Sequence, residues 1–133
     1  MAEYEKYLER AYEALESAKI LFENEKYNAS ISQAYYAMFY ASKALLSLKR
    51  IYPRTHRGVV SELGLRFVNE GYIEELYGKI LAKGLQLRER VDYDVYYRAS
   101  KEEAEEMINE AEMFVERIRR AIEEILKRGE GND

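Results

Sequence analysis

Apolar residues recur along this chain at steps of three and four, and no segment shows the strict two-residue alternation of a strand. Tyr4, Tyr7, Leu8, Ala11, Ala14, Leu15, Ala18, Leu21 and Phe22 predict a first amphipathic helix from about Glu3 to Asn24, with Glu5, Glu9, Glu13, Glu16 and Lys19 on its solvated face. Asn28 has the side chain of an N-cap for a second helix to about Lys49 through Ile31, Ala34, Tyr35, Met38, Phe39, Ala41, Leu45 and Leu48. Tyr36, Ala37, Tyr40 and Ala44 fill the side where charge would be expected. A helix with apolar cover on most of its circumference is buried on several sides, so the second helix is expected at the centre, against all its neighbours or a second subunit.

Thr55 is placed to cap a short third helix from about Arg57 to Val68, stopped by Gly71. A fourth runs from Ile73 to about Val91, and a loop follows from Asp92 to Ala99. Ser100 and Glu103 have the spacing of a capping box and open the longest helix, which keeps its period through Leu126 and ends at Gly129; residues 128–133 are expected to fray. The fold class predicted is all-α, an antiparallel four-helix bundle with one additional short helix, and residues 1–133 form a single domain.

At 133 residues the chain is long enough to bury a core without staples. It has no cysteine, which excludes disulfides and thiolate chemistry. No apolar run approaches a membrane span and the first residues are too acidic for a signal peptide, so a soluble, cytoplasmic protein is expected, with no membrane partner. The net charge of −4 argues against coating nucleic acid through bulk electrostatics, while leaving room for a local basic site. Glu102, Glu103, Glu105 and Glu106 open the last helix without any histidine beside them. They read as acids at the positive end of a helix dipole, and no metal site or cofactor is expected.

The chemistry concentrates between Leu85 and Tyr97. On the fourth helix Ile73, Tyr77, Ile80, Leu81, Gly84, Leu87 and Val91 share one arc, and Arg88 falls near its middle. Arg90 lies on the polar side as an ordinary solvated charge. A guanidinium does not lose its proton, so an inward Arg88 must meet acids or phenols, reach another chain, or line a wet cleft. An ion pair with Asp92 or Glu89 would satisfy it without any function. Tyr93, Tyr96 and Tyr97 form a second concentration of the 13 tyrosines, readable as ligand contacts or as a loop packed over the bundle's end. His56, the only histidine, is either a helix-start residue bonded to local backbone or, should its loop reach Arg88, a base.

Three segments together resemble the HEPN family (higher eukaryotes and prokaryotes nucleotide-binding): NASISQAYYAMFYASKALL from Asn28 to Leu46, THRGV from Thr55 to Val59, and LRERVDY from Leu87 to Tyr93. The resemblance covers nearly the whole chain. It implies a bundle of four to five helices that dimerises, and in many members a metal-independent endoribonuclease whose Arg, polar residue and His are pooled by two subunits in one cleft. It further implies a toxin encoded beside a minimal nucleotidyltransferase antitoxin, which in some pairs modifies a tyrosine near the signature.

Carried onto this chain, Arg88 takes the arginine position and Glu89 the polar one. Asp92 and Tyr93 stand where the family places its histidine. A histidine titrates near neutrality unaided, whereas a phenol with its ordinary pKa near 10 needs a cation such as Arg88 beside it. Arg88, Glu89, Asp92 and Tyr93 are therefore the catalytic candidates, and Tyr36, Tyr40, His56, Tyr96 and Tyr97 the binding candidates. Two functions follow as expectations: a homodimeric ribonuclease toxin, with Arg88 on the phosphate, or a non-catalytic subunit that binds a nucleotide or a nucleotidyltransferase partner.

Overall fold

The computed structural model describes residues 1–129. Five α-helices follow one another, α1 (Glu3–Glu23), α2 (Tyr27–Ser47), α3 (His56–Leu63), α4 (Glu75–Tyr93) and α5 (Lys101–Lys127), with a π-helical turn (Gly64–Val68) extending α3. Among the described residues there is no strand. The architecture is the expected all-α bundle of four long helices and one short one.

α2 is the axis of the molecule. It packs against α1, α3, α4 and α5, and no residue from Ser30 to Lys49 is fully exposed. Small residues set the closest pairing: Ala11, Ala14 and Ala18 of α1 and Ala34, Ala37 and Ala41 of α2 are buried. The buried Ser30 hydroxyl donates to the Ala18 carbonyl at 2.8 Å, so a polar group in the α1–α2 seam is satisfied. On the other side Gly84 lets α4 come close, because a Cβ there would stand 2.8 Å from Met38 Cε and 3.1 Å from Met107 Cε. Tyr35, Phe67, Phe114, Leu63, Leu81 and Ile118 fill the space between the helices.

Several helix limits differ from the sequence reading, each for a local reason. Asn28 is not the cap of α2, which starts two residues earlier, at Tyr27 after Lys26, and has no side-chain cap. The Asn28 amide is used elsewhere: it donates to the Tyr97 carbonyl at 3.0 Å and accepts from the Ala99 N–H at 2.8 Å, tying the α4–α5 loop to α2. α2 ends at Ser47 instead of Lys49, because Arg50 takes a left-handed conformation (φ 57°) and the Ile51 N–H bonds back to the Leu46 carbonyl. Glu25 plays the same part after α1.

α4 starts at Glu75, with Ile73 buried just before it, and continues through Tyr93. Asp92 and Tyr93 therefore belong to the helix and not to the loop. Its buried arc holds Leu85, while Leu87 and Val91 are half-buried at the edge. Ser100 and Glu103 form the expected capping box, and Gly129 (φ 74°) follows the end of α5. The rest of the tail, 130–133, lies outside the described residues.

Candidate functional site

The site is built on a stripe of α2. Ser32, Tyr35, Tyr36 and Phe39, at steps of three and four, share one face of the helix. That face meets α4 at Arg88 and the start of α3 at His56.

Arg88 is 7% exposed, so the misplaced cation read from the sequence does face inward. Its Nη1 donates to Asp92 Oδ2 at 3.1 Å, one turn along α4. The other oxygen of that carboxylate accepts from Ser32 Oγ at 2.8 Å. The guanidinium carbon stands 5.4 Å from the Tyr35 ring centre and 5.7 Å from that of Tyr36, within cation–π range. Burial works against the charge, but the bond from Asp92 and the phenols Tyr36 and Tyr35 more than offset it and raise the pKa. Nε has no hydrogen-bond partner. A buried donor without a partner is costly, and here it leaves a permanent cation one acceptor short.

His56 joins the same cluster. Thr55 caps α3, its Oγ1 accepting from the Gly58 N–H at 2.9 Å, and this places His56 at the first helical position. A Cβ on Gly58 would lie 3.0 Å from that Oγ1 and 3.1 Å from Pro53 Cβ, so the turn relies on the glycine. The imidazole lies 4.4 Å from the Phe39 ring, centre to centre, and its Nδ1 is 2.8 Å from the Tyr35 hydroxyl.

Burial pushes the Tyr35 pKa well up, with Arg88 opposing, so the phenol keeps its proton. Burial also lowers the His56 pKa, helped by Arg88 and Lys43 and opposed by Glu89. The contact has two forms: the phenol donates to Nδ1, or Nδ1–H donates to the phenol oxygen and leaves the Nε2 lone pair free. In the second form His56 is a neutral imidazole with one open nitrogen held in one orientation, in the field of Arg88.

The remaining sequence candidates sort by position. Glu89 is half-buried beside Arg88 and within electrostatic reach of His56 and Tyr35. Tyr36 touches the rings of Tyr35, Phe39, Tyr40 and His56. Tyr40 accepts a hydrogen bond from Arg10 Nη2 at 3.1 Å. Tyr93 is 76% exposed and Tyr96 90% exposed, and neither joins the Arg88 cluster. Tyr97 sits at the joint between α4 and α5, under Arg90 at 4.5 Å, with its hydroxyl donating to Glu103. Arg90, read as a plain solvated charge, is exposed but has this ring contact.

Sequence reasoning gave Ser32, Tyr35 and Phe39 no part in the site. The signal was present for Tyr35, whose hydroxyl on an otherwise core position requires a partner when buried. Among the described residues no three His, Asp or Glu side chains converge as a metal site. No helix among them is long and apolar enough to cross a membrane.

The HEPN domain profile matches residues 4–122. The chain belongs to the HEPN family. Among curated relatives, "Putative toxin MJ0605" of Methanocaldococcus jannaschii is 52% identical over 119 residues, covering 90% of this chain and 88% of that one. "Putative toxin MJ0142" of the same organism is 31% identical, covering 89% and 80%. A UPF0332 protein of Thermotoga maritima is 33% identical, covering 94% and 98%. In this HEPN chain the cluster of Arg88, Asp92, Tyr35 and His56 spans three of the five helices.

Proposed function

We propose that this HEPN protein is a metal-independent endoribonuclease toxin, acting as a homodimer whose two copies contribute to one cleft at Arg88 and paired with a minimal nucleotidyltransferase antitoxin. The observation that carries this reading is the buried Arg88, whose Nε lacks an acceptor, set beside a neutral His56. The toxin names of two relatives support the biological role.

Arg88 holds the scissile phosphate and stabilises the charge that develops on it. Asp92 and Glu89 orient the guanidinium. His56, not a residue after Arg88, supplies the base, since burial and Arg88 lower its pKa and keep the imidazole neutral at pH 7. With Nδ1–H donating to the Tyr35 oxygen, the free Nε2 takes the proton of the ribose 2′-OH, whose oxygen forms a bond to phosphorus as the bond to the 5′-oxygen breaks. The departing oxygen takes a proton from water, leaving a 2′,3′-cyclic phosphate. Tyr93, beside Asp92 on α4, is a further hydrogen-bonding group for the substrate, and Tyr96 and Tyr97 are further binding positions.

The test is incubation of the purified protein with RNA in chelator. Cleavage is expected, with Arg88→Ala and His56→Ala each slower by a hundredfold or more. The absence of a histidine after Arg88 favours a second reading, a non-catalytic subunit that binds a nucleotide or its nucleotidyltransferase partner. RNA left intact at high protein excess selects that reading.

A further inference from the structure

We propose that the groove between α1 and α2 beside the Arg88 cluster is a nucleobase subsite for single-stranded RNA; this deepens the RNA reading and rests on it. The groove has a volume of about 300 Å³ and is lined by Arg10, Glu13, Ser17, Gln33, Tyr36 and Tyr40. Apart from Tyr36, none of these is needed to explain the chemistry at His56.

Tyr36 is the shared wall. Its ring contacts the Arg88 guanidinium at 5.7 Å and also faces the groove. From there the side chains form a ladder. Tyr40 follows Tyr36 with ring centres 6.2 Å apart, and the Arg10 guanidinium carbon stands 4.8 Å from the Tyr40 ring centre. Two cations thus bracket two phenols, an order that matches a nucleic-acid strand in which phosphates flank a base. Half-buried phenols offer faces on which an unpaired base stacks.

The polar lining favours a base over a greasy ligand. The Gln33 amide both donates and accepts, Ser17 does the same, and Glu13 only accepts. These are the groups that read the edge of a base. A paired base presents neither its face nor its full edge, so the subsite selects single strands. Arg10 spends one N–H on the Tyr40 hydroxyl and has others for a neighbouring phosphate.

The test is fluorescence anisotropy of the full chain with a 2′-O-methyl octanucleotide, which has no 2′-OH to attack, and with the same backbone carrying abasic positions. Wild type is expected to bind the base-bearing strand about tenfold more tightly than the abasic one. Gln33→Ala and Tyr40→Ala should each remove most of that preference, and Arg88→Ala should weaken both ligands. Gln33 is only half-buried, so its variant keeps the test meaningful if Tyr40→Ala loses fold. Equal affinity for the two strands, or a preference untouched by both groove variants, overturns the subsite. If Arg88→Ala still weakens binding in that case, the RNA reading stands alone. Absence of binding to either strand by wild type overturns both.

Discussion

The Tyr35 hydroxyl and His56 Nδ1 are 2.8 Å apart, and this contact joins the centre of the bundle to its only histidine. Tyr35 has no exposed surface, so the imidazole is oriented by a core residue.

The first prediction concerns pH. Burial and Arg88 lower the His56 pKa below its ordinary 6.5, so the folded state binds fewer protons than the unfolded chain between the two values. Stability is then highest above pH 6.5 and declines as pH falls from there through the folded-state pKa. Urea unfolding across pH 7.5 to 5 should show this slope, and His56→Gln should flatten it. Proton NMR of the single imidazole should place its midpoint below 6.5, and Arg88→Met should move it upward by removing the nearby cation. A midpoint above 6.5 in wild type would contradict the geometry.

The second prediction separates stability from function at Arg88. Removing one partner of an ion pair is costly only when the other is left buried, and Asp92 is a third exposed and stays hydrated, so Arg88→Met should retain or raise the unfolding midpoint while losing RNA binding. Asp92→Ala does the opposite to the fold. It removes the acceptor for Arg88 Nη1 and for Ser32 Oγ and strands the buried charge, a loss of about 1–2 kcal/mol with Asp92 itself a third exposed. Parallel denaturation of the two variants checks the contrast.

The same residues explain how much was legible in advance. The helices, the central place of α2 and the inward turn of Arg88 follow from periodicity, because side-chain direction on a helix is fixed by register. What joins His56 to Arg88 is not periodic: α3 must fold back on α2 before Tyr35 can reach an imidazole 21 residues away. Asn28 shows the opposite failure. Its side chain is right for capping, but two backbone groups of a loop some 70 residues later compete for it and win. The site residues Tyr93 and Tyr96 were grouped with Arg88 by proximity in sequence, whereas α4 runs on through Tyr93 and leaves both phenols exposed.

The third prediction comes from the end of α2. Arg50 holds φ 57°, a left-handed conformation that crowds any Cβ. Glycine adopts it freely. Arg50→Gly should therefore stabilise the protein by up to about 1 kcal/mol, the relief being partly offset by the greater freedom of glycine in the unfolded chain. Thermal melts at fixed pH measure it, and a lowered midpoint would mean that Arg50 makes contacts outweighing the relief.

The fourth prediction concerns the loop that carries the exposed phenols. Asn28 donates to the Tyr97 carbonyl and accepts from the Ala99 N–H, and the Tyr97 hydroxyl donates to Glu103. Together with the capping box of α5, that bond holds the Glu103 carboxyl below its ordinary 4.5. The depressed carboxylate contributes stability above pH 4.5 that is lost as pH falls through its folded value. Asn28→Ala leaves two part-buried backbone groups without partners, a cost of about 1–3 kcal/mol, while Tyr97→Phe removes only the Glu103 link. Hydrogen exchange should accordingly speed up at Ala99 in Asn28→Ala and stay near wild type there in Tyr97→Phe. The acid limb of stability below pH 4.5 should become shallower in Tyr97→Phe, because Glu103 then titrates closer to its unfolded value. Neither substitution touches Arg88 or His56, so RNA cleavage should keep its kcat in both, while KM rises because the loop carries the binding positions Tyr96 and Tyr97; an unchanged KM in Asn28→Ala would remove them from the substrate site.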